Sequence, residues 1–207
     1  MPAKTVFQDV WSRCDNLMSV HAYLQANVTP ALNTDELLRS EYVARISALD
    51  LYIHELVLEK MLDIFNASRP PTAAYNKHLV SNALILQLLT ASNPFLRSSY
   101  FELDVRDRHS IKTFQDPDKV ADAIRLISPI ELWKSVAGVW YPDDNVDDKA
   151  KDIKKELSLI VDRRNKIAHE GDVEPTLPRG PRTIGVIDIA NVRRFIKKLV
   201  DTIDTLI

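Results

Sequence analysis

Within two turns of one predicted helix, the run Arg163-Arg164-Asn165-Lys166-Ile167-Ala168-His169 gathers guanidinium, amide, ammonium and imidazole groups. At about 100° per residue, Arg164 falls inside the apolar stripe of Ile153, Leu157, Ile160 and Ile167. A buried guanidinium is costly unless its donors are paired, so Arg164 is expected to meet a carboxylate, a phosphate or another subunit. Asn165 and His169 are four apart and share an adjacent face. There the amide can orient the imidazole, or both can address one ligand. The competing reading makes Arg164 a buried ion-pair partner and His169 a helix-end residue whose protonated form complements the dipole. Asp50, on an earlier helix, could serve as the partner of Arg164 or be an ordinary carboxylate. Arg163 lies off the stripe and suits a surface or phosphate contact.

Other chemistries are poorly provided for. Cys14 is the only cysteine, which excludes an internal disulfide and a cysteine-based metal site, and it reads as a small buried hydrophobe. His54 follows Asp50 by four, a structural hydrogen-bonding distance, while His21, His78 and His109 have no partner at metal-ligand spacing. No HExxH pattern and no serine in a nucleophile elbow occurs. The acidic run Asp143 to Asp148 lacks the glycine and the bidentate glutamate of a calcium loop and reads as the N-terminus of a helix. Neither a metal nor a cofactor is expected.

The elements that must position the motif are helical. Four glycines in 207 residues argue against turn-dense β folds and Gly-rich phosphate loops. A first helix through Val6, Val10, Leu17, Val20 and Leu24 should end before Pro30. A long core helix is expected from Asn33, with Glu36 completing a capping box. It runs through Leu38, Tyr42, Ile46, Leu49, Ile53, Leu56 and Leu62 to the Arg69-Pro70-Pro71 stop. Another runs near His78 to Thr90. Asn93-Pro94 and the polar stretch Asp104 to His109 predict loops or short helices. Asp116-Pro117 and Ser128-Pro129-Ile130-Glu131 each read as a cap followed by proline at the first helical position. The motif helix should stop at Gly171. After a Pro-rich loop, 174–182, and an extended 183–187, Asp188 is expected to cap a last helix through Ile189, Val192, Ile196, Leu199 and Ile203. Trp133 and Trp140 read as core or interface aromatics.

Composition agrees with a globular chain: 45% apolar, 27% charged, net charge −2. One domain spanning 1–207 is expected, cytosolic, with no membrane span and no leader at its start. The segment from Arg163 to Lys198 carries nine basic residues against four acidic ones, a bias that suits a phosphate backbone or a solvated face.

Arg164-Asn165-Lys166-Ile167-Ala168-His169 resembles the R-N-x-x-x-H form of the HEPN signature, with Glu170-Gly171-Asp172 resembling its usual exit. The helix from Leu38 to Leu56 is similar to the early helix of the RiboL-PSP-HEPN branch. The resemblance implies an all-α HEPN-like bundle of long antiparallel helices and metal-independent cleavage of RNA by two motifs joined in a homodimer. In it, His169 would be general base or acid, Arg164 the transition-state clamp and Asn165 the orienting residue, with Arg163 and Lys166 contacting RNA. Products would be a 2′,3′-cyclic phosphate and a 5′-hydroxyl. The implied role is a toxin or defence effector, with a cognate antitoxin or regulatory protein as a further partner. The rival implication is a silent HEPN module that binds RNA or a protein, and a third is a helical scaffold in which the motif is coincidence. HEPN toxins that carry tyrosine two residues after the histidine differ here, where Gly171 stands.

Overall fold

A computed structural model describes residues 1–29 and 32–207, and the expected all-α architecture is what it shows. Among the described residues eight α-helices follow one another: α1 (Ala3–Asn27), α2 (Asp35–Phe65), α3 (Asn82–Thr90), α4 (Pro94–Ser110), α5 (Pro117–Arg125), α6 (Leu132–Trp140), α7 (Val146–Glu170) and α8 (Val186–Leu206). Pro30, the expected stop of α1, lies outside the described residues.

The bundle is organised on α2, whose Ile46, Ala48, Leu49, Tyr52, Ile53, Val57 and Met61 are all inaccessible to solvent. A helix apolar around so much of its circumference must be surrounded. Helix α1 packs antiparallel to it, Ala3 donating to Glu59 at one end and Gln25 to Thr34 at the other. Helix α7 is antiparallel too, while α8 runs parallel to α2, as the contacts Arg193–Glu41 and Tyr52–Asp204 require. The expected long antiparallel bundle is therefore observed with one parallel member. Trp133 is buried in the core and Trp140 half-buried against it, each indole N–H satisfied: Trp133 by the Pro117 carbonyl and Trp140 by Thr202. Cys14 is buried.

Charge is also buried on α2. Glu41 accepts from Arg45 Nε at 3.0 Å and from Arg193 Nε at 2.6 Å, and the inaccessible Arg45 reaches the Trp11 carbonyl at 2.8 Å. Its guanidinium lies over the Trp11 ring, 4.2 Å from the centroid. These bonds fasten α1, α2 and α8 together at one level.

Several expected boundaries are corrected. Asp104 to His109, expected as a loop or a short helix, belongs to the 17-residue α4. Its charges pair along the helix, Arg106 with Glu102 and Arg108 with Asp104, while Phe101, Val105 and His109 make a narrow buried stripe. Helix α6 starts at Leu132, not at Pro129, and Ser128 is buried without capping it. Helix α2 begins at Asp35 and ends at Phe65, short of the Pro-Pro stop, with Ala67 in the left-handed region. Glu36 bonds Arg39 in place of the expected capping box. Helix α8 opens three residues early: Gly185, not Asp188, is its N-cap, and the Asp188 carboxylate accepts from the Gly185 N–H at 2.8 Å.

Candidate active site

Helix α7 is built to carry the motif at its exposed end. Asn145 caps its start by accepting from the Asp148 N–H, and Asp147 and Asp148 occupy the first turn, where the dipole favours them. Ile153, Leu157 and Ile160 are buried against the bundle. Beyond Ile160 the covering thins: Arg163 to Ile167 are half-buried and Ala168 to Gly171 are exposed. Gly171 ends the helix at φ 62°, as expected, and the N–H groups of Gly171 and Asp172 both return to the Lys166 carbonyl.

Arg164 is half-buried and no carboxylate lies within 4.0 Å of it among the described residues. Its Nη1 donates to Asn165 Oδ1 at 3.0 Å, and its buried Nε has no partner. Asp50 is not its counter-ion. That carboxylate accepts from the Phe114 N–H at 2.5 Å and Gln115 Nε2 at 3.0 Å, with His54 Nε2 at 3.6 Å, and so anchors the chain between α4 and α5. His169 is exposed, and no hydrogen bond joins it to Asn165. Lys166 is half-buried and free of ion pairs among the described residues. Arg164 and His169 are five positions apart, so their directions on α7 diverge by about 140°.

Arg163 has a different position from its neighbour. Its Nη2 donates to Asp172 Oδ2 at 2.7 Å and to the Thr183 carbonyl at 3.1 Å. Asp172 is completely buried at φ 55°, and the same Oδ2 accepts from Arg39 Nε at 3.1 Å. Arg39 continues to the Arg182 carbonyl at 2.5 Å and to Glu36 at 3.0 Å, while Arg182 N–H bonds the Asp172 carbonyl at 2.7 Å. One carboxylate thus ties the start of α2, the end of α7 and the loop 173–185. Sequence reasoning missed Asp172 and Arg39. The available signal was an aspartate directly after a C-terminal glycine, where Asp tolerates the left-handed region.

A groove of about 300 Å³ beside this network is lined by Tyr42, Ile160, Arg163, Thr183, Asp188 and Asn191, and it contains neither Arg164 nor His169. Burial holds the Tyr42 phenol above its ordinary range, and its hydroxyl donates to the Ile160 carbonyl at 3.3 Å. The expected catalytic residues therefore stand outside this groove, at the end of α7. Among the described residues no group of three or more His, Cys, Asp or Glu is placed to hold a metal ion, and no helix is long and apolar enough to cross a membrane.

The model of the family described as RiboL-PSP-HEPN matches residues 12–207. No curated protein and no solved structure matches.

Proposed function

The chain belongs to the RiboL-PSP-HEPN family, a HEPN-type family of nuclease or RNA-binding modules, and on that premise we propose that it is a metal-independent endoribonuclease whose site is completed by a second copy. The observation that carries this reading is the state of Arg164. Its guanidinium, half-buried with a buried, unpartnered Nε, is a cation short of an anion, and a scissile phosphate supplies one.

In the proposed reaction His169 takes the proton of a ribose 2′-hydroxyl. The resulting oxygen attacks the adjacent phosphorus, and the bond to the 5′-oxygen breaks. The histidine of the second copy protonates that leaving oxygen, so a 2′,3′-cyclic phosphate and a 5′-hydroxyl form with no water consumed. Arg164 stays charged throughout and holds the non-bridging oxygens as charge builds on them. Asn165 gives its carbonyl to Arg164 and keeps its Nδ2 donors for phosphate. Lys166 and the remaining edge of Arg163 contact flanking phosphates. The divergence of Arg164 and His169 on one helix favours a composite site, each copy lending what the other lacks. By family analogy the role is that of a toxin or defence effector in the cytoplasm, restrained by a cognate protein.

The test is incubation of purified protein with mixed RNAs in EDTA beside His169→Ala and Arg164→Ala variants. Cleavage by the wild type alone, leaving cyclic phosphate ends, is the expected result. Equal cleavage by all three overturns the mechanism. Retained RNA affinity with no turnover in the wild type would identify a binding module instead.

A further inference from the structure

The groove between α7 and α8 takes no part in the proposed cleavage, yet its lining is selective. Its floor is apolar and closed: Tyr42, Ile160, Ile184 and Val192 are all buried. Leu159, largely exposed, stands on the α7 side. A volume of about 300 Å³ is at the small end of the roughly 300–1,000 Å³ of ligand pockets. Such a slot has room for one planar ring laid between two helices. It does not suit a phosphate. Glu156 and Asp188 bring two carboxylates to the lining, and the one cation there, Arg163, already faces Asp172. An uncharged heterocycle with N–H donors fits these walls.

The polar groups of α8 identify the heterocycle. Asp188 and Asn191 are three apart and both exposed, so they are neighbours on the helix surface. Asp188 is held through Oδ2 by the Gly185 N–H, and its Oδ1 accepts no bond among the described residues. Asn191 Oδ1 accepts from Arg194 Nη2 at 2.8 Å. A guanidinium only donates, which turns the amide oxygen to Arg194 and leaves the Nδ2 donors for a ligand. The helix thus offers a carboxylate acceptor beside an amide donor. The base-pairing edge of guanine carries the O6 acceptor followed by the N1–H and N2–H donors, the complement of that pair. Adenine and cytosine set a ring-nitrogen acceptor against the carboxylate, and uracil flanks its single N–H with two carbonyls. We propose that the groove is a guanine subsite, in which Asp188 accepts from N1–H and N2–H, Asn191 donates to O6, and the ring lies on the apolar floor. The subsite rests on the reading of RNA as the ligand and adds the base that is recognised.

Arg163 joins the subsite to the motif. It lines the groove, and its charge and that of Asp188 both act on the Tyr42 phenol, so both stand near that ring. The edge of Arg163 that Asp172 and Thr183 leave unbonded is at hand for the phosphate of the same nucleotide. Arg164 is next in the chain, and His169 is only about 9 Å further along the α7 axis. A guanosine seated here is therefore at or next to the scissile phosphate, and RNA is cut beside G.

The test is calorimetric titration of the full chain with guanosine, adenosine, cytidine and uridine monophosphates, a measurement that needs no turnover. The guanosine nucleotide is expected to bind about 10-fold or more tightly than the other three. Asp188→Asn, which keeps an oxygen for the Gly185 N–H, is expected to abolish that margin. Leu159→Trp, which fills the groove from α7 and leaves the start of α8 alone, is expected to weaken guanosine binding to the same extent. Equal affinity for all four nucleotides overturns the subsite, as does a guanosine margin that survives in folded Asp188→Asn. If Asp188→Asn fails to fold, Leu159→Trp decides by the same criterion. On RNA, cuts beside G are expected. Cleavage without regard to base overturns the subsite and leaves the cleavage mechanism standing. No cleavage, with the guanosine margin present and lost in the variants, supports the subsite and removes the mechanism.

Discussion

Arg163 and Asp172 lie nine residues apart and meet across the end of α7, Nη2 to Oδ2 at 2.7 Å. Because Arg39 reaches the same oxygen from α2, the position of the motif is set by a carboxylate outside it. Removing that carboxylate leaves Arg163 without a counter-charge and Arg39 with only the exposed Glu36. Asp172→Ala is expected to cost roughly 3–5 kcal/mol of stability, the range for breaking a buried pair. Urea denaturation reads this as a lower midpoint, and an unchanged midpoint would show that the network is dispensable.

Adjacent arginines should separate by phenotype. Arg164→Ala removes a side chain with no carboxylate partner, so unfolding should change by no more than about 0.5 kcal/mol, the range of substitutions away from special features. RNA cleavage by this variant should fall about 100-fold or more, the scale of losing one transition-state donor. Arg163→Ala should do the reverse, losing stability first. Parallel melting curves and single-turnover cleavage distinguish the two, and identical profiles would refute the division.

Acid should weaken the fold through His109. This buried imidazole is pushed down to about 4 by burial, with Lys112, His54 and His78 adding to the effect. Unfolded, it titrates near 6.5. Between those values the unfolded chain binds a proton that the folded chain refuses, so stability falls as pH drops from about 6.5 to about 4 and this contribution is flat below. The loss should be on the order of a few kcal/mol. Chemical denaturation at stepped pH should show the slope, and His109→Leu should flatten it, leaving the smaller contribution of His78, which is also lowered. An unaltered slope in the variant would rule out His109 as its source.

Gly171→Ala examines the helix exit. A Cβ there would meet only Val173 Cγ2 at 3.8 Å, an ordinary contact, so the cost is the left-handed backbone itself. A loss of about 1–2 kcal/mol is expected in thermal or urea unfolding. A neutral result would mean that the turn relaxes.

What could be read from the sequence divides by distance along the chain. Asn145 and Asp116 accept from backbone N–H donors within three residues of themselves, and Gly171 stops its helix by its own φ, so such features are visible locally. Arg164 was recognisable as anomalous by periodicity alone. The Arg39–Asp172 bond spans 133 residues and leaves no periodic trace. Helix α4 reads from the sequence as a loop or a short helix because three buried residues in seventeen make a weak stripe, and its polar face is stabilised by paired charges. Asp188 was correctly associated with a helix start but placed at the wrong position, since its carboxylate works backwards from the third residue.

The loop after α7 is closed at its neck. Glu174 N–H bonds the Gly180 carbonyl at 2.8 Å, and Val173 bridges Pro181, so most of the tip 175–179 stands in solvent beyond a fixed base. Lengthening a flexible loop costs only about 0.6 kcal/mol per doubling. The tip is thus a place where evolution can insert, or an experimenter can graft, a peptide tag without disturbing the histidine five residues before that neck.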